Sequence, residues 1–200
     1  MKRTYGALIL AGGKGSRMGG QNKALLQLEQ RTFLSRPEGA LSGFEEKLIS
    51  LQDASWLEGS AFSPVLDQVK DRDPMEGLRR ALLTCRSDAL LVVACDMPLF
   101  SEKLAKALIQ ASDGFDAIIC QDRTGKLHPL CGIYSKQCLP AIDALIHQGN
   151  YRVNEIRKMV TSTVYSLEDT SLPDTLVSNV NTPEALASLH LNHFPDHTIP

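Results

Sequence analysis

Short apolar runs separated by glycine, proline and charged turns alternate along the chain with segments of helical period. Tyr5 to Ala11 is an apolar run ended by Gly12-Gly13, which reads as a buried strand entering a tight loop. Lys47 to Leu51 and Pro64 to Val69 read as the second and third strands, the proline marking a strand start. Asp73-Pro74 opens a helix, the acid as N-cap and the proline at the first helical position, with Met75, Leu78, Leu82 and Cys85 on one apolar face. Ala89 to Ala94 is apolar at every position, the pattern of a strand covered on both sides by helices. Ser101 starts the next helix, with Leu104, Leu108 and Ala111 on one face and Gly114 beyond it. Phe115 to Cys120 and Leu130 to Tyr134 follow as strands and Ser135 to His147 as a helix. Thr161 to Leu167 and Leu176 to Val180 read as further strands, and Thr182-Pro183 caps a last helix ending near Leu191.

Strands alternating with helices predict a single Rossmann-like α/β domain of three layers, a mostly parallel sheet with helices on both faces. The expected domain spans 1–192, with 193–200 as a disordered tail. On such sheets ligands bind beyond the carboxyl ends of the strands, so the segments following each strand carry the chemistry.

The chain has 21 basic and 23 acidic residues, a net charge of −2, which gives no general attraction to nucleic acid or an anionic membrane. An anionic ligand must therefore meet a local basic site. The five cysteines, Cys85, Cys95, Cys120, Cys131 and Cys138, are scattered and form no C-x-x-C pair, the usage expected of reduced, buried thiols in a cytoplasmic protein. No apolar run approaches the ~20 residues of a membrane span. The apolar start lacks an A-x-A-like cleavage site and runs straight into a glycine loop, unlike a signal peptide. A cytoplasmic protein with no membrane or nucleic-acid partner is expected.

That loop concentrates Gly12, Gly13, Gly15, Gly19 and Gly20 with Lys14, Arg17 and Lys23. Glycines let backbone N–H groups approach oxygens closely, and the cations add charge-assisted bonds to phosphate. A Walker A loop fails because Gln21 follows Gly20, and a Rossmann G-x-G-x-x-G from Gly13 meets Met18 where its last glycine belongs. A flexible basic surface loop is the plain alternative, and its position directly after the first strand argues against it. The segment L-A-G-G-x-G-S-R-M-G-G-x-x-K resembles the opening of molybdenum cofactor guanylyltransferases, within the nucleotide-diphospho-sugar transferase type of fold. Asn22 stands where that family commonly has aspartate, and Lys23 is in place.

Further matches follow in family order from Leu10 to Leu186. A-C-D-M-P resembles the family's P-C-D-M-P, which implies that Asp96 binds Mg²⁺ and nucleotide; a turn-forming aspartate is the alternative. As an acid after a wholly apolar strand, Asp96 is expected to lack a structural partner. Asp71 matches a nucleotide-binding acid, and Pro74 and Gly77 match a G-P-L-A-G segment in which Glu76 replaces alanine. His128-Pro129-Leu130 resembles a strand near the acceptor, Arg152 an acceptor-side arginine, and Asn179-Val180-Asn181-Thr182-Pro183-Glu184 an N-x-N-T-P-E motif. A structural role is the alternative for His128, a plain exposed surface arginine for Arg152, and an Asx-turn for the asparagines. The match is weakest from Arg31 to Ser60, where Pro37 and Gly39 interrupt what the family builds as a regular helix, and where Ser50 and Gln52 follow the second strand at the place from which the family often supplies an asparagine to the base, a role Ser50 fills only in part.

The resemblance implies transfer of GMP from GTP to molybdopterin-bound molybdenum, with Mg²⁺ as cofactor and Asp96 as metal ligand. Lys23, Arg17 and Asp96 are the implied catalytic residues. Leu10, Ala11, Gly12, Gly13, Lys23, Ser50, Asp71 and Asp96 are the implied nucleotide contacts, and His128, Arg152, Asn179 and Asn181 the acceptor contacts. Implied partners are GTP, the molybdopterin cofactor, and proteins that insert molybdenum or chaperone molybdoenzymes. A sister nucleotidyltransferase, such as a molybdopterin cytidylyltransferase or sugar-phosphate enzyme, remains an alternative. The cytidylyl sisters read L-A-A-G where this chain has L-A-G-G, which favours a purine. A nucleotide-binding regulator without catalysis is the alternative of another class; Lys23 and Asp96 together weigh against it.

Overall fold

The computed structural model describes residues 3–11, 17–18, 21–22, 24, 27–28, 31–55, 57, 59–66 and 74–180. In chain order the elements are β1 (Tyr5–Leu10), β2 (Arg17–Met18), β3 (Gln21–Asn22), β4 (Gln27–Leu28), β5 (Arg31–Thr32), α1 (Ser35–Ala40), β6 (Lys47–Leu51), β7 (Ser63–Leu66) and α2 (Pro74–Thr84). They continue as β8 (Ala89–Ala94), α3 (Glu102–Ala111), β9 (Ala117–Gln121), β10 (Leu127–Ser135), α4 (Leu139–His147) and β11 (Ser162–Ser166). Seven strands form one sheet in the order β11-β9-β10-β8-β1-β6-β7. All neighbours run parallel except β10, which is antiparallel to both β8 and β9. This is the expected α/β architecture.

The strand period divides the core. Ala7 and Ile9 of β1 and Leu91 and Val93 of β8 face one way, packing with Leu104 and Leu108 of α3. Leu8, Leu10, Leu90 and Val92 face the other way, with Met75, Leu78 and Leu82 of α2 and Ile142 and Leu145 of α4. Every residue of β8 is buried, so its uninterrupted apolar run is explained by helices on both faces. Truncating one of these leucines to alanine costs about 2–5 kcal/mol. The starts of α3 and α2 follow from their first residues, although Asp73, the expected cap of α2, lies outside the described residues. Ser101 Oγ accepts from Leu104 N at 3.3 Å to cap α3, and α2 begins at Pro74.

Several boundaries differ from expectation. Leu176 to Val180 is not a strand: Asp174–Val177 forms a 3-10 turn, and Val177 and Val180 are the residues buried, a spacing of three rather than two. Phe115 closes the turn after α3 by donating its N–H to Ser112 O, and β9 starts two residues later. β10 is longer than Leu130–Tyr134 because an irregularity between His128 and Gly132 lets pairing resume on the far side. Gly132 permits this approach, since a Cβ there would lie 2.1 Å from Ile118 O. Ser135 caps a 3-10 turn, Lys136–Cys138, that precedes α4. Between Arg31 and Ser60 the helix is reduced to α1, six residues long. All five cysteines are free and buried, as expected. No helix among the described residues is long and apolar enough to cross a membrane.

Candidate active site

The chain leaves β1, builds β6 and β7 on one side, and returns to β8 on the other, so the carboxyl end of β1 is a topological switch point. Crevices form at such points because consecutive connections depart to opposite sides. Leu10 is in register with Ser50 of β6 and with Ala94 of β8. The backbone extends both ladders by one step: Ala11 N donates to Ser50 O at 2.9 Å, and Cys95 N donates to Leu10 O at 3.0 Å. Leu10, Ala11, Ser50 and Asp96, distant in sequence, thus stand along one edge, where the chain enters its glycine-rich loop.

Asp96 follows the buried end of β8 and is itself half-buried. Contrary to the expectation of an isolated carboxylate, its Oδ1 accepts from Asn179 Nδ2 at 2.8 Å, and its main-chain carbonyl accepts from Val180 N at 2.8 Å. Two candidate residues from opposite ends of the site motif set are therefore in direct contact. Val180 and Val177 are buried in the core, which fixes the backbone that carries Asn179.

Ser50 is buried, and α2 closes over it. A Cβ on Gly77 would lie 2.3 Å from Ser50 Oγ and 3.2 Å from Leu10 Cδ2, so the first turn of α2 lies on the carboxyl ends of β1 and β6. This turns the positive end of the helix dipole toward the edge that carries the site. Glu76, in the same turn, is buried and paired with Arg79 at 3.9 Å and Arg80 at 3.6 Å, so its charge is balanced within the helix. Arg79 also binds Asp143 of α4.

Because β10 runs antiparallel, its first residues share this edge with the ends of β8 and β9. Cys131 is opposite Val93 and His128 opposite Cys120. The buried His128 has its Nε2 2.9 Å from Asp122 Oδ2. Asp122 Oδ1 also accepts from Thr124 N, Thr124 Oγ1 and Lys126 N. The Thr124 hydroxyl, then His128, then the two backbone N–H groups hold its carboxyl far below the usual carboxylate range against the effect of burial. Asp122 was not among the sequence candidates; its signal is the D-x-T-G turn pattern between two apolar runs.

Arg152 is exposed just before the 3-10 turn Val153–Lys158, and among the described residues its guanidinium makes no ion pair. Arg17 is placed through its backbone alone, opposite Asn22 in the β2–β3 ladder. Gly12, Gly13, Lys23, Asp71 and Asn181 lie outside the described residues.

A separate cleft of about 940 Å³, lined by Tyr5, Phe44, Glu46, Arg86 and Lys106 among others, opens at the amino ends of β1, β6 and β8, the opposite pole of the sheet. The Glu46 carboxylate there accepts from Arg86 N, Ser87 N and Ser87 Oγ. Burial opposes its ionisation, but these bonds prevail and hold it below its usual value.

A glycine-rich basic sequence that follows the switch-point strand of a mostly parallel sheet, with a carboxylate at the end of the adjacent strand, is the arrangement of a nucleotide-binding α/β domain. The chain belongs to the MobA-like NTP transferase domain family, whose model matches residues 7–169. A probable molybdenum cofactor guanylyltransferase of Methanosarcina mazei is 36% identical over 166 residues, covering 76% of this chain and 73% of that protein. Another from Pelotomaculum thermopropionicum is 34% identical over 186 residues, covering 90% and 88%. Among solved structures, molybdopterin-guanine dinucleotide biosynthesis protein A of Archaeoglobus fulgidus superposes with a TM-score of 0.75 at 21% identity, over 91% of this chain and 95% of that one. The 2-C-methyl-D-erythritol 4-phosphate cytidylyltransferase of Thermus thermophilus gives 0.70 at 14% identity, over 94% and 97%, a likeness of fold. The protein is a MobA-like nucleotidyltransferase.

Proposed function

We propose that the protein transfers GMP from GTP to the molybdopterin-bound molybdenum cofactor, in the cytoplasm, releasing pyrophosphate. The observation that supports this most is the position of Asp96, held beside the β1 exit where the glycine-rich loop begins. A terminal phosphate oxygen of the acceptor attacks the α-phosphorus of GTP; the bond from that phosphorus to the β-phosphate bridging oxygen breaks, and pyrophosphate leaves with the electron pair. Such chemistry depends on positioning and charge neutralisation.

Gly12 and Gly13 give the purine and phosphates close access to backbone, with Leu10, Ala11, Ser50 and Asp71 completing the nucleotide contacts. Lys23 and Arg17 neutralise charge developing on the α-phosphate and the leaving group. His128, Arg152 and Asn181 form the acceptor side, and Asn179 contacts Asp96. Asp96 suits Mg²⁺, a hard cation that is commonly bound by one or two carboxylates together with substrate phosphates. When bound, Mg²⁺ supplies positive charge to the phosphate oxygens. Proteins that insert molybdenum or chaperone molybdoenzymes are the proposed protein partners.

The test is thermal-shift screening with GTP, CTP, ATP and UTP, each with Mg²⁺, because a ligand specific to the native state stabilises it by mass action. GTP is expected to stabilise most. An equal or larger shift with CTP would move the assignment to a cytidylyltransferase.

A further inference from the structure

The contact between Asn179 and Asp96 has a direction that a turn-forming role does not require. The Asn179 amide donates to Oδ1 of Asp96 at 2.8 Å across 83 residues of sequence. The neighbouring Val180 N–H holds the Asp96 carbonyl at 2.8 Å. Val177 and Val180 are buried on either side, so the asparagine sits on a segment anchored independently of its own side chain. An amide N–H on a carboxylate oxygen stabilises the ionised form and fixes the rotation of the carboxylate. The interaction orients the group without consuming its charge.

We infer that Asn179 is a positioning residue that holds the Asp96 carboxylate in the orientation in which it receives the divalent cation of Mg·GTP, rather than an acceptor contact. This rests on the proposed function, since it presumes that Asp96 meets a metal-bound nucleotide. Partners of metal-binding carboxylates set the ligand's orientation, and their loss typically costs about 10–100-fold in metal affinity. Asn179→Ala removes the donor, while the Val180 backbone bond keeps the segment in place.

The experiment titrates MgCl₂ at fixed GTP and reads thermal stabilisation of the wild type, Asn179→Ala and Val180→Ala. Steady-state kcat and KM for GTP and acceptor are measured alongside. Val180→Ala loosens the packing of the same segment and leaves the amide present. The expected result is that Asn179→Ala raises the half-saturating Mg²⁺ concentration at least about tenfold and lowers kcat, with acceptor KM unchanged. Val180→Ala lowers the melting temperature without moving the Mg²⁺ midpoint. An unchanged midpoint in Asn179→Ala, or a rise confined to acceptor KM, overturns the inference while the wild-type response to Mg·GTP still supports the proposed function. A wild type with no Mg²⁺-dependent response to GTP overturns the proposed function itself. Should Asn179→Ala not fold, Asn179→Ser, whose shorter side chain cannot span the contact, takes its place against the same outcomes.

Discussion

Gly77 and Ser50 meet so closely that a single methyl group on the glycine would lie 2.3 Å from the serine Oγ, with Ser50 Cβ and Leu10 Cδ2 both at 3.2 Å. The contact sets how far α2 descends onto the carboxyl ends of β1 and β6. It also explains a glycine in the first turns of a helix, where alanine would otherwise gain about 1 kcal/mol.

Two opposed effects determine the outcome of Gly77→Ala. Helix propensity favours alanine by about 1 kcal/mol, whereas overpacking a buried contact costs about 1–3 kcal/mol. Ser50 is buried, and although its Oγ can rotate, its Cβ cannot leave, so the second effect dominates. Gly77→Ala is expected to lower stability and weaken GTP binding. Removing Oγ in Ser50→Ala/Gly77→Ala should restore at least half of the stability loss relative to Ser50→Ala. A double-mutant cycle by urea denaturation measures the coupling; purely additive changes would show that the two residues do not press on one another.

Asp122 provides a pH prediction. Its carboxyl is held low by the Thr124 hydroxyl, His128 and two backbone N–H groups. A carboxylate whose folded pKa lies below its unfolded value, near ~3.9, contributes stability fully present above that value. The contribution is lost as pH falls through it toward the folded pKa. Asp122→Asn is therefore expected to lose about 1–2 kcal/mol at pH 7. Its melting temperature should fall less steeply than that of wild type below about pH 4. Parallel curves for the two proteins from pH 7 to pH 2.5 would show that Asp122 contributes nothing beyond its shape.

Legibility followed the locality of each cause. β8 was readable because burial on both faces leaves a run apolar at every position, and Ser101 was readable because a capping hydroxyl acts within one turn. The direction of β10 was encoded as well: the five residues Asp122–Lys126 between β9 and β10 are too few for a crossover and require an antiparallel neighbour. Leu176 to Val180 misled because β-favouring residues at a spacing of three suit a 3-10 turn packed on the core as well as a short strand. The Asn179–Asp96 contact was not readable, since it depends on where a chain 83 residues later passes the end of β8. The resemblance supplied both residues, and the fold supplied their contact.

The cysteines yield a prediction about reactivity. Burial, opposed in part by the charge of Lys136, pushes the Cys85 thiol up to about 11. Burial, opposed by contacts to Ser135, pushes Cys138 up to about 12. Cys131 is raised by its contact with Cys120, whose sulfur lies 3.6 Å away, and by burial. Thiolates are the reactive form, and all five thiols are buried. The native protein at pH 8 is therefore expected to release colour from an aromatic disulfide reagent only at the rate of its own unfolding. In guanidinium all five groups should react. Rapid stoichiometric labelling of any one of them under native conditions would contradict the packing described.

Asp96 separates structure from chemistry most sharply, because its backbone is tied into the fold while its side chain carries the charge. Oδ1 receives the Asn179 amide at 2.8 Å, and the main-chain carbonyl receives Val180 N–H. Asp96→Asn can keep an oxygen facing Asn179, so in that contact the fold loses the charge assistance of one hydrogen bond, about 1 kcal/mol. The anionic charge that suits a hard cation is gone. The expected result is a near-normal melting temperature without ligand, loss of the Mg²⁺-dependent part of GTP stabilisation, and a fall in turnover of about 10²–10³-fold, the scale for removing one electrostatic group from a transition state. Asp96→Ala should match it in turnover but be less stable by a further 1–3 kcal/mol or so, because the Asn179 amide is left without its acceptor. The two variants thus differ in stability and agree in metal response if the carboxylate serves the metal. If Asp96→Asn is unstable yet responds to Mg·GTP like wild type whenever folded, the carboxylate serves the fold, and the metal must bind elsewhere.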